Sequence, residues 1–291
     1  MDVQLTREAE VLMNEMATVY ATRCLDEMLL PTLGRTSGSR LLTVPAVQSA
    51  LLDAYSCLET VYGRYAFARR GKERTELAAI AVEALRRTTS RDDFGQFLSL
   101  PDAGPLWDSF VAICREHGKK PMEQLNIGVV AGMAELVQEL HQTRGSGSIV
   151  RWIVESVEES GRVEEIFVRI TDVRGIGPKV ASLLLRDTVL LFDLERRLHP
   201  LDRLYVQPID KWLRLIAPHV VNEPNVDTMA DWVLAGKLAK YCRKAGVSGV
   251  RFNLGASYFG SRDIRQPEHV ARKIAAIVDS GQAARLGGEM L

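Results

Sequence analysis

The chain has 291 residues, of which 46% are hydrophobic and 25% charged, proportions that are ordinary for a globular protein with a full hydrophobic core. No apolar run is as long as a membrane span, and residues 1–8 are too polar for a signal peptide, so we expect a cytoplasmic protein that engages no membrane. Lysine plus arginine equals aspartate plus glutamate at 37 each, which counts against a strongly electrostatic nucleic-acid binder, although a local basic face would still serve.

Apolar residues recur at helical spacing through most of the chain, and few stretches alternate with the period of a strand. The pattern predicts helices at residues 8–30, 44–67, 75–88, 105–117, 122–141, 149–160, 163–170, 178–198, 210–217, 227–245, 247–259 and 267–279. We expect loops at 33–39, 99–105 and 144–148, a break in the fifth helix at 126–128, and a frayed tail from 281. Asn225 or Asp227 is suited to cap the helix 227–245, and Gly246 is suited to end it. The sequence therefore predicts an all-α fold.

The cysteines lie far apart in the sequence, without the close pairs that metal sites and disulfide frameworks usually show. We expect four free, buried thiols at Cys24, Cys57, Cys114 and Cys242. The histidines show no ligand spacing either.

Residues 173–181, Val-Arg-Gly-Ile-Gly-Pro-Lys-Val-Ala, are typical of a tight turn between two helices. Gly175 and Gly177 can adopt backbone angles closed to other residues, and Pro178 suits the first turn of a helix. Such a turn exposes several backbone N–H groups at a helix N-terminus, which makes a preformed anion site. A nucleic-acid phosphate fits there without base contacts, so recognition would be independent of base sequence. The candidate DNA-binding residues are Arg174, Gly175, Ile176 and Gly177.

The segment Gly-Ile-Gly-Pro-Lys-Val-Ala at 175–181 resembles the hairpin of the helix-hairpin-helix DNA glycosylases. The second hallmark of that superfamily is a Gly/Pro-rich loop ending in an aspartate, and Tyr-Val-Gln-Pro-Ile-Asp at 205–210 is similar to it. The resemblance implies a base-excision DNA repair glycosylase with abasic-site (AP) lyase activity. It also implies that Lys179 is the nucleophilic lysine and Asp210 the catalytic aspartate.

The resemblance covers residues 150–220 and implies two helical lobes with a cleft between them. The central lobe would span residues 60–200 and contain the helix-hairpin-helix at 163–187. The second lobe would be built from both chain ends, residues 1–59 and 201–291. The expected partner is double-stranded DNA containing a damaged base, bound by a monomer, which implies a cytoplasmic protein associated with the nucleoid.

Three features depart from the commoner family pattern. Lys179 and Asp210 are 31 positions apart, which is longer than in most members and resembles the archaeal-type 8-oxoguanine glycosylases; this favours 8-oxoguanine among oxidised purines. Trp212 stands where a histidine is common, so the phosphate contact made there is left open. Arg174 replaces a usual proline. The iron–sulfur cluster that many members carry near the C-terminus is not expected here.

Two further features of the family have candidates in this chain. Backbone carbonyls of Thr171, Val173 and Gly175 would bind a monovalent cation, as hairpins of this family often do; no other cofactor is expected. An extruded base would stack on an aromatic ring from the segment 250–259, although aromatic residues at helical spacing are more often core. The candidates for this pocket are Phe252, Tyr258 and Phe259.

The chemistry requires both proposed catalytic residues. Cleavage of the bond between base and sugar builds positive charge on the sugar, which a carboxylate stabilises, and attack by a neutral amine gives a Schiff base that permits β-elimination. Two other interpretations stay open. In a non-catalytic DNA-binding module, Lys179 contacts a phosphate and Asp210 is a plain helix N-cap. In an unrelated helical interaction protein, the match is a coincidence.

Overall fold

The computed structural model describes residues 5–36, 42–67 and 72–288, and within these ranges all regular secondary structure is helical. The predicted all-α class is confirmed. The α-helices are α1 (Arg7–Glu15), α2 (Ala21–Cys24), α3 (Leu30–Thr36), α4 (Val44–Leu52), α5 (Ala54–Thr60), α6 (Lys72–Thr88), α7 (Phe94–Leu98), α8 (Gly104–Glu116), α9 (Glu123–Arg144), α10 (Ile149–Ser160), α11 (Glu164–Asp172), α12 (Pro178–Leu191), α13 (Lys211–Ile216), α14 (Asp231–Ala245), α15 (Gly249–Phe259) and α16 (Val270–Gly288). Short π-helical turns occupy Met16–Tyr20, Leu25–Leu29, Val61–Ala66 and Gly260–Ile264, and short 3-10 turns occupy Asp202–Val206, Ala217–His219, Val226–Thr228 and Pro267–His269.

Backbone contacts divide the chain into two compact units. The central unit is Leu30–Arg197, and the terminal unit combines Met1–Leu29 with Leu198–Leu291. The N-terminal boundary between these units falls at residue 30, whereas the expected division into lobes placed one at residue 60; that division stays a prediction. The reason is that α4 is tied to the central unit: Gln48 Nε2 donates to Leu191 O at 2.6 Å, and Ser148 Oγ donates to Leu51 O at 2.8 Å.

In the central unit, α10 and α11 precede the turn at 173–177 and α12 follows it. Ser148 begins α10 as its N-cap, accepting a hydrogen bond from Arg151 N at 3.1 Å, and Gly161 ends it with a φ of +72°. The turn at 173–177 joins α11 to α12, and the two helices contact each other, with Ile166, Ile170, Ala181 and Leu185 among their buried residues. Both ends of the turn are therefore held by amphipathic helices whose apolar faces lie in the core.

In the terminal unit, α15 lies against the π-helical turn Met16–Tyr20 and against α2, α13 and α14. The contact is close because Gly255 has no side chain: a Cβ built there would lie 1.9 Å from Met16 O. Arg251 Nε donates to Ala17 O at 2.8 Å across the same contact. The helix α15 thus forms the centre of this unit.

Several helix boundaries differ from the sequence-based prediction. The helix predicted at 178–198 ends at Leu191, because Leu194 N turns back to Val189 O at 2.9 Å and Asp193 adopts a φ of +51°. The helix predicted at 227–245 begins at Asp231, because Asn225, with a φ of +59°, precedes a separate 3-10 turn instead. Its predicted end at Gly246 is confirmed.

The long N-terminal helices consist of shorter pieces. The region 8–30 alternates α-helical and π-helical turns, and the region 44–67 is interrupted at Asp53, whose side chain caps α5 by accepting from Ser56 N at 2.9 Å. Residues 33–36 of the loop expected at 33–39 belong to α3, and the rest lie outside the described residues. At the other end α16 continues to Gly288, although fraying was expected from 281; residues 289–291 lie outside the described ranges.

Candidate functional site

The turn between α11 and α12 comprises residues 173–177 and is held by its own side chains. Val173 and Ile176 are 8% and 5% exposed, and Ile176 N donates to Val173 O at 2.9 Å. Gly175 between them has a φ of +93°, a left-handed conformation that residues with a Cβ rarely adopt. Two buried apolar side chains and one glycine therefore define the shape of this turn.

The helix α9 packs closely against the turn at two glycines that are four positions apart. A Cβ at Gly128 would lie 2.6 Å from Arg174 Cβ and 2.7 Å from Arg174 O, and one at Gly132 would lie 3.1 Å from Val173 Cγ1. The helix is continuous through residues 126–128, so the expected break is wrong. Gly128 is explained by close packing against the turn.

The turn leaves backbone donors open at the start of α12. Val180 N and Ala181 N donate to Gly177 O at 2.9 and 3.2 Å, and no side chain from the described ranges caps the helix. Among the described residues, no acceptor binds the N–H groups of Gly175, Gly177 and Lys179. Open N–H groups and the positive end of the helix dipole favour an anion at this place.

Two exposed cations flank these donors. Arg174 and Lys179 are both exposed, and neither side chain has an ion pair or hydrogen bond within the described part of the protein. The neighbouring acid, Asp172, lies 3.9 Å from the guanidinium of Arg169. The turn is therefore locally basic although the whole chain is neutral.

Asp210 is half-buried and begins α13 as its N-cap. Its Oδ1 accepts hydrogen bonds from Trp212 N and Leu213 N, each at 2.8 Å. No donor among the described residues binds the other carboxylate oxygen, Oδ2. The capping bonds orient the carboxylate through Oδ1, and within the described part of the chain Oδ2 is left to a ligand. Lys179 belongs to the central unit and Asp210 to the terminal unit.

The candidate base-stacking residues are core residues in this structure. Phe252, Tyr258 and Phe259 are at most 2% exposed, and the Phe259 ring lies 4.8 Å from the ring of Tyr20. The Tyr258 hydroxyl donates to Glu27. Their buried rings have no face open to a ligand. The three residues therefore occupy core positions, which the helical spacing also allowed.

The carbonyls considered for a monovalent cation differ in their bonding. Val173 O accepts from Ile176 N, whereas no hydrogen-bond donor among the described residues reaches Thr171 O or Gly175 O. Across the same residues no cluster of histidine, cysteine, aspartate and glutamate side chains is arranged to hold a metal ion. All four cysteines are buried, as expected, and none of them forms a disulfide.

A buried charge cluster anchors α12 eight residues after Lys179. Asp187 accepts from Arg186 Nη2 at 2.6 Å, from Arg64 Nη2 at 3.0 Å and from the Tyr65 hydroxyl at 3.0 Å. Burial would raise the pKa of Asp187, but the two guanidiniums outweigh it and lower that pKa. The cluster joins α12 to the π-helical turn Val61–Ala66, and so stabilises the helix that carries Lys179.

No protein-family model, curated protein or solved structure matches this chain. None of the helices within the described ranges has both the length and the apolar character needed to cross a membrane. The functional interpretation therefore depends on the residues themselves.

Sequence reasoning missed four residues that position the candidate site: Gly128 and Gly132 behind the turn, and Gln207 and Asn253 beside Asp210. A signal existed for the glycines, since small residues four apart lie on one face of a helix and permit close approach. Asn253 gave a weaker signal, as a lone amide among apolar residues. Neither pattern indicates which segment of the chain the residues contact.

Proposed function

We propose that this protein is a base-excision DNA repair glycosylase with AP lyase activity that removes an oxidised purine, 8-oxoguanine being the substrate to test first. One observation carries the proposal: the second residue of α12 is an exposed lysine that pairs with no described residue, directly beside a turn whose backbone donors have no acceptor in the same part of the chain. A phosphate bound at the turn would place a nucleotide within reach of Lys179. The aspartate that the reaction needs is supplied by Asp210, whose Oδ2 is free.

The turn would act as the grip on DNA. The N–H groups of Gly175, Gly177 and Lys179 bind phosphate oxygens, and the Arg174 side chain adds a positive charge. These contacts do not read base sequence, which suits an enzyme that must inspect any stretch of duplex. The damaged nucleotide is then extruded from the stack, because its reacting atoms are inaccessible inside the helix.

Lys179 would perform the covalent step. Its neutral amine attacks C1′ of the extruded nucleotide, a C–N bond forms, and the bond from C1′ to the base breaks with its electron pair leaving on the base, which takes up a proton. Loss of the amine proton and opening of the sugar ring give a Schiff base. Removal of a proton from C2′ then expels the 3′ phosphate and cleaves the strand, and water finally hydrolyses the Schiff base to release the lysine.

Asp210 would stabilise the positive charge that develops on the sugar as the base departs. The two capping bonds hold the carboxylate without using Oδ2. The resemblance to the glycosylases assigns Lys179 of the central unit and Asp210 of the terminal unit to one reaction.

Borohydride trapping tests the proposal. The protein is incubated with duplexes that contain 8-oxoguanine or an abasic site and is then reduced, and we expect a covalent adduct that Lys179→Gln abolishes. Lys211→Gln is the matched control, because Lys211 also lies in the first turn of a helix, immediately after Asp210, with its Nζ 4.0 Å from the Trp212 ring centre. Its adduct should equal that of the wild type.

The outcomes separate the candidate activities. An adduct on the 8-oxoguanine duplex supports both the Schiff-base mechanism and the substrate. An adduct on the abasic duplex alone supports the lyase and rejects 8-oxoguanine as the base. No adduct on either duplex rejects catalysis by Lys179.

A second candidate function is a non-catalytic DNA-binding module. The exposure of Lys179 favours it, since an exposed lysine is also well placed for a simple phosphate contact. This function predicts salt-dependent binding to intact duplex that Lys179→Gln and Asp210→Asn weaken only modestly. An unrelated interaction protein would show no salt-dependent binding at all.

A further inference from the structure

Asn253 is a completely buried amide at the centre of α15. Its Nδ2 donates to Gln207 Oε1 at 3.1 Å and to Pro208 O at 3.3 Å. Burying an amide is costly unless its hydrogen bonds are made, so the bonds account for its place in an otherwise apolar core.

Both acceptors belong to the segment that leads into Asp210. Gln207, Pro208 and Ile209 are all buried, although they form no regular secondary structure. Backbone groups of a buried loop need partners, and Asn253 alone donates to Pro208 O among the described residues. The contact therefore joins α15 to the backbone two residues before Asp210.

The same helix also contacts the residues that follow Asp210. Gly260 directly succeeds α15, and a Cβ built there would lie 2.4 Å from Trp212 Cβ. Trp212 N is one of the two donors that hold Asp210 Oδ1. The helix α15 and the residue after it therefore contact the chain on both sides of Asp210: Asn253 contacts Pro208, and Gly260 contacts Trp212.

We propose that Asn253 is a positioning residue, which holds the Asp210 carboxylate in its reactive place through the Pro208 carbonyl. The effect on base excision rests on the proposed function, whereas the effect on the position of Asp210 does not. Misplacing a catalytic group by about 1 Å can cost on the order of 100-fold in rate. The Gln207 contact is secondary, because a side-chain amide can turn away while a backbone carbonyl cannot.

The test uses substitutions that separate these two contacts. Asn253→Ala removes both, and Asn253→Ser keeps a short hydroxyl that cannot reach both acceptors. Gln207→Met removes only the side-chain acceptor. Gln138→Ala is the matched control in the central unit, since Gln138 is 4% exposed and its Nε2 donates to Phe97 O at 3.0 Å.

Two readouts are measured on the full-length chain. Hydrogen exchange at the amides of Trp212 and Leu213 reports the capping bonds of Asp210. The single-turnover rate constant of 8-oxoguanine excision, compared with the dissociation constant for the same duplex, reports catalysis. For both Asn253 variants we expect faster exchange at these two amides and a rate constant at least about tenfold lower, with the dissociation constant unchanged. Gln207→Met and Gln138→Ala should stay within about threefold of the wild type, well short of that loss.

The two parts of the inference fail differently. If exchange at Trp212 and Leu213 in Asn253→Ala and Asn253→Ser matches Gln138→Ala, Asn253 does not position Asp210, whatever the protein does to DNA. If exchange rises but excision is unaffected, the carboxylate position is irrelevant to the reaction and the inference is overturned. If the wild type excises no base, the proposed function is overturned, and the exchange measurement alone decides the positioning role.

Discussion

Replacing Gly128 by alanine tests whether close packing against α9 sets the shape of the α11–α12 turn. The new Cβ would lie 2.6 Å from Arg174 Cβ and 2.7 Å from Arg174 O. Ordinary contact begins near 3.4 Å, so the two segments must separate by about 0.8 Å, the difference between 2.6 and 3.4 Å. The obstacle is partly backbone and cannot rotate away.

The expected free-energy change has two opposing contributions. Overpacking of this kind costs about 1–3 kcal/mol. Alanine is favoured over glycine within a helix by about 1 kcal/mol. We therefore expect the free energy of unfolding to fall by about 0–2 kcal/mol.

Gly236→Ala is the control, because Gly236 lies within α14 and, among the described residues, no heavy atom beyond its chain neighbours and the backbone of its own helix is within 4 Å of its Cβ position. This variant should gain only the higher helix propensity of alanine, so its free energy of unfolding should rise by up to about 1 kcal/mol. Urea unfolding of both variants gives the comparison. Equal free energies of unfolding for Gly128→Ala and Gly236→Ala would refute this account of Gly128, because they would show that the new Cβ causes no steric destabilisation.

The same substitution should weaken DNA binding. A shift of the turn misaligns its open N–H groups, and loss of one hydrogen bond to a charged phosphate is worth about 1.5–3 kcal/mol, at least tenfold in the dissociation constant. Gly236→Ala should bind as the wild type does. Equal affinities of the two variants for duplex DNA would show that the turn is not the binding site.

The remaining predictions concern the turn and the helix α12. Gly175→Ala should lower the free energy of unfolding by about 1–3 kcal/mol, because the φ of +93° strains any residue with a Cβ and that Cβ would lie 2.5 Å from Val129 Cγ2; urea unfolding measures it, and a neutral effect would mean that the turn adopts another conformation. Asp187→Asn should cost about 3–5 kcal/mol, because the Arg64 and Arg186 guanidiniums lose their buried counter-charge; a wild-type urea midpoint would contradict this. The folded-state pKa of Asp187 is lowered, so its stabilising contribution is complete above the unfolded pKa of about 3.9 and is lost as pH falls below that value towards the folded pKa. Between about pH 5 and pH 2 the urea midpoint of the wild type should therefore fall more steeply than that of Asp187→Asn, and parallel curves would exclude Asp187 as the source.

The turn between α11 and α12 was predictable because its determinants lie close together in the sequence. A glycine that tolerates positive φ, a proline at the first turn of a helix and apolar residues at helical spacing act within a few residues of one another. The same holds for the cap at Asp210, whose carboxylate reaches N–H groups only two and three positions away. For this reason the all-α class, the turn at 173–177 and the start of α13 at Lys211 were predictable.

Other features depend on contacts between residues that are distant in sequence, and only the tertiary structure decided them. Gly128 suggested a helix break because the pattern contains no sign of Arg174, the residue 46 positions later that packs against it. The aromatic residues of α15 were compatible with a pocket or a core, and their burial against the N-terminal segment assigned them to the core. Asn253 likewise acquires its role only through Pro208, 45 positions earlier. Helix propensity and capping act within one or two turns of chain, whereas close packing and buried hydrogen bonds depend on which segments meet, and only the folded chain brings those segments together.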